Sequence, residues 1–394
     1  MADKLHPAEL RSSGLGSASD AITVKKGHAE LSAEERYYLA SQWQMMWRKF
    51  RRHKLAIVGG AVLLVLYLSA IFADFLAPYP KEIRFEKFAY RPPTPVHLFD
   101  EEGQFRGPFV YGTTKERNME TLEAIYTVDT SAVYPLRFFV QGEPYDVFGL
   151  FETGIRLFGV EEPGAIFLFG TDSLGRDLFS RIVHGARLSL SIGLVGVSLS
   201  FLIGVTLGGI SGYFGGVVDT IIQRMIEFFM SIPTTPLWLA LSAALPKDWS
   251  IVRVYFGISI ILSLVGWGAL ARVVRGKFLE LRELDYVLAA RVSGVSEWSI
   301  IWVHLVPNFA SYLIVHVTLS IPGMILGETA LSFLGLGLRS PAVSWGVLLE
   351  KAQNIASVAI YWWTLVPALF VVITVVAFNF LGDGLRDAAD PYKQ

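Results

Sequence analysis

The feature that most limits what this chain can fold into is a series of long apolar runs almost free of charge. They lie at residues 55–73, 188–210, 234–245, 255–271, 309–327 and 361–381. Most come near the ~20 residues that an α-helix needs to cross the hydrocarbon core of a bilayer. The third run is short unless its helix begins upstream, near Asp219, and brings its charges along. A hydrophobic content of 53% over 394 residues is too high for a soluble domain of this size. The expected fold is an all-α polytopic membrane protein with six transmembrane helices.

Composition removes other classes. A formal net charge of −1 argues against a nucleic-acid partner, which would require a basic excess or a concentrated basic face. The chain has no cysteine, so disulfides, Cys-ligated zinc and thiol catalysis are excluded. The first fifty residues are polar and carry no cleavable signal, so residues 55–73 read as an uncleaved signal anchor. Arg48, Lys49, Arg51, Arg52 and Lys54 immediately precede that anchor, which places the N-terminus in the cytoplasm. Six spans then return the C-terminus to the same side. The loop with Arg272, Arg275, Lys277, Arg282 and Arg291 also lands inside. Arg176, Arg181 and Arg187 fall outside, at the end of a long segment that weighs little in the rule.

Five regions are expected along the chain. Residues 1–30 form a disordered cytoplasmic tail, poor in apolar periodicity. Residues 31–54 form an amphipathic helix in the membrane interface, opened by a capping box at Ser32 and Glu35. Leu39, Trp43, Met46 and Phe50 lie at helical spacing on it. Residues 55–77 hold the first transmembrane helix. Residues 78–169 have no span-length apolar run but alternate aromatic-rich stretches with Gly, Pro and Asp turns, as in Leu136-x-Phe138-x-Val140. They read as a small, mostly β periplasmic insertion, long enough to fold on a core of its own. Residues 170–391 hold the remaining five spans.

Within the second span Gly196, Ser200, Gly204, Gly208 and Gly212 recur every fourth residue. On an α-helix this makes one stripe about 24 Å long. Membrane helices associate by close backbone approach along such stripes, so another helix should lie against it. Charges near the spans also need reasons. Asp219, Arg224 and Glu227 precede Pro233, and Arg224 and Glu227 are spaced to pair along one helix. They either line a path through the bundle or sit in the cytoplasmic headgroup layer, the second being preferred. Glu328 is expected near the outer face, capping or anchoring a bend at Pro322-Gly323, with a role in substrate passage as the second reading.

No enzyme site emerges. There is no Gly-x-x-x-x-Gly-Lys-Ser/Thr phosphate loop, and Gly276-Lys277 is followed by Phe278. His184, His304 and His316 show no metal-ligand spacing and read as structural hydrogen bonders, so no metal site is expected.

One polar segment between two apolar runs, residues 285–308, has a pattern of its own: DYVLAARVSGVSEWSIIWVHLVPN. It resembles the EAA loop of bacterial ABC-importer permeases. Ala289, Ala290, Gly294 and Pro307 fall in register, while Leu288, His304 and Val306 stand where the general pattern has Glu, Ile and Leu. Those departures are usual in the dipeptide/oligopeptide/nickel branch. Three further stretches resemble that branch: Gly170-Thr171-Asp172 through Gly175-Arg176-Asp177 to Ser180-Arg181, then Glu328-Thr329-Ala330 with Ser344-Trp345-Gly346, and Asn379-Phe380-Leu381-Gly382-Asp383 near the end. Only the large insertion departs from shorter members.

The resemblance implies a permease subunit of the bacterial inner membrane that imports a peptide-like solute. It implies a second permease subunit, expected to be a different chain, two cytoplasmic ABC ATPase subunits that hold ATP and Mg, and a periplasmic substrate-binding protein. The chain itself has no cofactor. Asp285, Tyr286, Val287, Leu288, Ala289, Ala290, Arg291 and Gly294 would form a short coupling helix in a groove of an ATPase subunit, with Asp285 as N-cap and Gly294 as its end. Relatives carrying nickel, opines or oligosaccharides leave the solute open. A secondary transporter using Asp219 or Glu227 would show inverted repeats, and none is visible. A membrane-tethered periplasmic interaction module fits poorly with a patterned cytoplasmic loop.

Overall fold

The computed structural model describes residues 42–117, 124–147 and 149–390. The expected tail at residues 1–30, the capping box at Ser32 and Glu35, and Leu39 lie outside the described residues. By packing, the chain divides into units at Met1–Met45 and Met46–Gln394. Of the first unit only the opening of helix α1 (Gln42–Phe50) is described. In the second unit Met46 is buried and Trp47 exposed. The chain turns at Arg51 and Arg52, and His53 Nδ1 then accepts the Ala56 N–H at 3.1 Å to cap helix α2 (Lys54–Ile71). The segment before the first span is therefore not a smooth extension of it.

A single turn, α3 (Ala73–Leu76), leads from α2 into the inserted region. There β1 (His97–Phe99), β2 (Phe105–Arg117), β3 (Ala124–Val147) and β4 (Phe151–Val160) form one antiparallel meander. Strand β3 serves two neighbours in turn. Ala124 to Pro135 pair with β2, and Leu136 to Val147 pair with β4. The alternation at Leu136-x-Phe138-x-Val140 does lie on a strand, but Phe138 is exposed and not turned inward. Nor is the core of the insertion its own. Val110, Phe158 and Ile166 are buried against Tyr79 and against Phe179 from the next long helix. A lone open sheet has no second layer to cover its faces, so it borrows one.

That helix, α4 (Leu178–Phe214), runs 37 residues. Next come α5 (Gly216–Ser231) and α6 (Thr234–Ala243). The expected third span is thus in two pieces, of 16 and 10 residues, each short of a crossing. Ile232 is extended (φ −90°, ψ 130°), the conformation into which a following proline drives its neighbour, and Pro233 has no N–H to continue the ladder. Helix α7 (Ile251–Leu281) and the short α8 (Asp285–Val292) follow. An α turn at Glu297–Ser299, π-helical Ile300–Leu305 and 3-10 Val306–Phe309 lead without a break into α9 (Ala310–Phe333), which continues through Pro322. Helix α10 (Trp345–Glu350), a short helical stretch at Ile355–Ile360 and helix α11 (Val366–Ala389) follow.

Among the described residues five helices are long and apolar enough to cross a membrane: Lys54–Ile71, Leu178–Phe214, Ile251–Leu281, Glu297–Phe333 and Trp362–Ala389. Helix α4 lies along α7 on one side and α9 on another, while α11 packs against both α9 and α2. Ile182, Leu190, Leu262, Ile325 and Trp345 are among the side chains closed off at their centre.

Candidate functional site

The small-residue stripe of α4 faces two helices. Gly196 meets Met324 of α9, and the next four steps meet α7. Ser200 Oγ donates to Ser263 O at 3.1 Å. A Cβ added at Gly204, Gly208 or Gly212 would lie 3.0, 2.5 or 2.6 Å from the carbonyl oxygens of Trp267, Ala271 and Arg275. Those backbones are in direct contact, which only small residues permit.

The seam leads to α8. Its N-cap is Leu284 (φ −77°, ψ 147°), not Asp285, which occupies the first turn and makes no side-chain cap. There its negative charge still meets the positive end of the helix dipole. At the other end Gly294 adopts φ +75°. Its N–H bonds Arg291 O and that of Val295 bonds Ala290 O, each at 3.1 Å, so the last carbonyls are satisfied by a left-handed turn. A Cβ at Gly294 would touch nothing within 4 Å. Glycine is needed here for backbone conformation and not for space.

Helix α8 has two unlike faces. Val287 is fully buried, and Ala290 and Val295 pack beside it on a cluster of Tyr213 from α4, Val274 and Phe278 from α7, and Ile300, Ile301, Leu305 and Phe309 leading into α9. The ends of three long helices are thus joined beneath one short one. On the other face Tyr286 and Leu288 are exposed, Ala289 is open to solvent and Val292 is 90% exposed. Polar contacts fix the orientation. Asn308 Nδ2 donates to Tyr286 Oη at 2.6 Å, Arg282 Nη1 donates to Gly212 O at 3.1 Å, and the Arg291 guanidinium lies 5.2 Å from the Tyr213 ring centre. Pro307 is exposed just past the π-helical segment.

The charged residues are placed as follows. Asp219 takes a two-pronged contact from Arg275 of α7, at 2.5 and 2.6 Å, and a hydrogen bond from Ser211 Oγ of α4. It ties α5 to the same pair of helices that form the seam. Arg224 and Glu227 pair at 2.6 Å on an exposed face, as their spacing requires. Glu328 neither caps nor anchors a bend at Pro322-Gly323. It is wholly buried, its Oε1 accepts from Ser332 Oγ at 2.8 Å and Ser344 Oγ at 2.7 Å, and Ser189 Oγ donates to Oε2 at 3.5 Å. One carboxyl group therefore joins α4, α9 and α10.

The acidic motif before α4 is a structural knot. Asp172 accepts from Arg176 Nε at 2.8 Å and also from Arg181. Asp177 caps α4 by accepting from Ser180 N and Oγ at 2.8 and 2.6 Å, and burial pushes its carboxyl group up to about 7. Sequence reasoning missed Arg275 as the partner of Asp219 and Ser189 and Ser344 as partners of Glu328. Only Ser332, one helical turn from Glu328, had a signal in the spacing.

Two family models match. Residues 204–393 fit the binding-protein-dependent transport system inner membrane component, and residues 41–93 fit the N-terminal TM domain of oligopeptide transport permease C. The dipeptide transport system permease protein DppC of Bacillus subtilis (strain 168) is 40% identical over 352 residues, 89% of this chain and 86% of that protein. The glutathione transport system permease protein GsiD of Pectobacterium atrosepticum is 31% identical over 89% of this chain and 91% of its own length. A solved structure of the MetNI methionine ABC transporter covers 54% of this chain and 97% of that one at 19% identity and a TM-score of 0.42, a match too loose to support any comparison of residues. The chain thus belongs to the binding-protein-dependent transport system inner membrane components, as a multi-pass permease subunit of an ABC importer whose ATP is hydrolysed by separate subunits.

Proposed function

We propose that this permease carries a peptide-like solute, handed over by a periplasmic binding protein, and that α8 is the element on which an ATPase subunit acts. The names of the relatives support the solute class. The two faces of α8 support the docking role, since Val287 is sealed into the ends of α4, α7 and the α9 rod while Tyr286, Leu288 and Val292 stay uncovered. A partner gripping the open face would move three spans together. Asp285, Ala289, Arg291, Gly294 and Pro307 border or shape that face. In this reading α5 and α6 make one broken crossing, giving six spans with both termini cytoplasmic and the sheet periplasmic. A second permease chain, different from this one, completes the path, and ATP with Mg stays on the two ATPase subunits. The permease supplies two packings of similar energy whose balance its partners shift.

Uptake by liposomes that contain the permease with its cognate partners tests this. Import of a labelled dipeptide or oligopeptide is expected only with ATP on the ATPase side and the binding protein on the other. Import driven by a proton gradient without ATP overturns the proposal.

A further inference from the structure

A cavity of about 970 Å³ lies where the end of α2 and helix α3 meet the β3–β4 hairpin. Its walls are mainly apolar, with Val65, Leu68, Phe72 and Phe75 on one side and Phe139 and Phe151 on the other. Arg156 of β4 holds the hairpin there. Its Nη1 donates to Asp74 O at 3.1 Å and Ala77 O at 2.9 Å, and its Nη2 donates to Glu143 O at 3.1 Å. The groove is therefore built into the fold.

We propose that this groove seats an acyl chain of a membrane phospholipid, so that the sheet rests on the bilayer. Two independent observations carry this. The first is continuity. Helix α2 has 28% of its most apolar window buried, the least of the five span-length helices and well under the 50% of α7. Its outward residues Leu64 and Val65 are 60% and 64% exposed. In a membrane protein an apolar face left open by a span meets lipid tails, and Val65 and Leu68 carry that face straight into the groove. The second is Phe139. Its backbone is held at φ +55°, a region that a bulky residue occupies only at a cost, and the residue is 69% exposed, with its ring centre 6.2 Å from that of Phe75. A phenyl ring held under strain and left in water gains nothing, whereas the same ring completes a wall for an acyl chain.

The chain has no cysteine, so an introduced one is its single thiol. Phe151→Cys and Val147→Cys, both in the groove lining, and Glu116→Cys on exposed β2, each carry a fluorophore in the complete transporter in bilayers with brominated acyl chains. Quenching several-fold stronger at 151 and 147 than at 116, with slow labelling by a water-soluble thiol reagent, is expected. Equal quenching at all three sites overturns the proposal. So does protection at 151 and 147 without quenching, which would mean that a protein partner covers the groove.

Discussion

The α4–α7 seam and the β sheet satisfy their apolar surface in opposite ways. Along the seam the molecule closes on itself, with Gly208 so near Ala271 that no side chain fits between them. On the sheet Phe139, Leu150 and Phe151 are 69%, 79% and 59% exposed. The seam is therefore complete in its own packing, while the chain leaves part of the sheet's apolar surface uncovered. Substitutions in the seam should act on folding, and those in the sheet on how the permease sits among its neighbours.

The sharpest way to break that contrast is Gly208→Leu beside Gly276→Leu. The first places atoms 2.5 Å from Ala271 O, whereas at Gly276 an added Cβ meets nothing within 4 Å. Overpacking is expected to cost about 3 kcal/mol at 208, against no loss at 276, read as the thermal midpoint in detergent. Equal midpoints would mean that the seam is not closely packed.

Arg156→Met should loosen the sheet and spare the bundle. Three carbonyls lose a charged donor, with a local cost of about 2 kcal/mol. Hydrogen exchange is expected to quicken in β4 and stay unchanged in α7. A rise in both would contradict the separation of the two regions.

Gly294→Ala tests the far end of the seam, where α8 packs on Tyr213 and Phe278. Alanine at φ +75° is expected to cost about 1 kcal/mol and to fray the end of α8. Co-purification of the ATPase subunits should fall while the amount of folded permease holds. Unchanged co-purification would remove the docking role of this turn.

The smallest expected effect is with acid. The hydrogen bond from His184 Nε2, and then Arg187, hold the Asp74 carboxyl group well below the usual carboxylate range despite its partial burial. A depressed folded-state value means that the stabilisation is present above the ordinary aspartate value of about 3.9 and is lost as pH falls below it. Protease sensitivity near α3 should rise at low pH in the parent and be flat in Asp74→Asn. A rise with increasing pH would have the wrong sign.

Local patterns made much of this readable from sequence. The apolar runs marked the five long helices, the four-residue register marked the face of α4, and Gly294 marked the end of α8. Contacts between distant residues left no such trace. Ser189 and Glu328 stand 139 residues apart, and Asp219 and Arg275 stand 56 apart, so nothing in either neighbourhood names the other. Pro233 was visible, yet whether a proline kinks a helix or divides it depends on what the freed backbone meets. The N-cap fell one residue early because Leu284, though a poor capping side chain, takes the extended conformation and leaves Asp285 inside the first turn. In the insertion, alternation located a strand but not which of its residues face inward, since the sheet shares its core with α4.

The central claim is that the open face of α8 meets an ATPase subunit and passes its movement to the spans. Leu288→Cys, the only cysteine in the chain, sits on that face and accepts a short cleavable cross-linker in the assembled transporter. The predicted result is an adduct with an ATPase subunit that stops ATP-driven uptake until the linker is cleaved. An adduct with no ATPase subunit, or full uptake while the linker holds, would contradict the account.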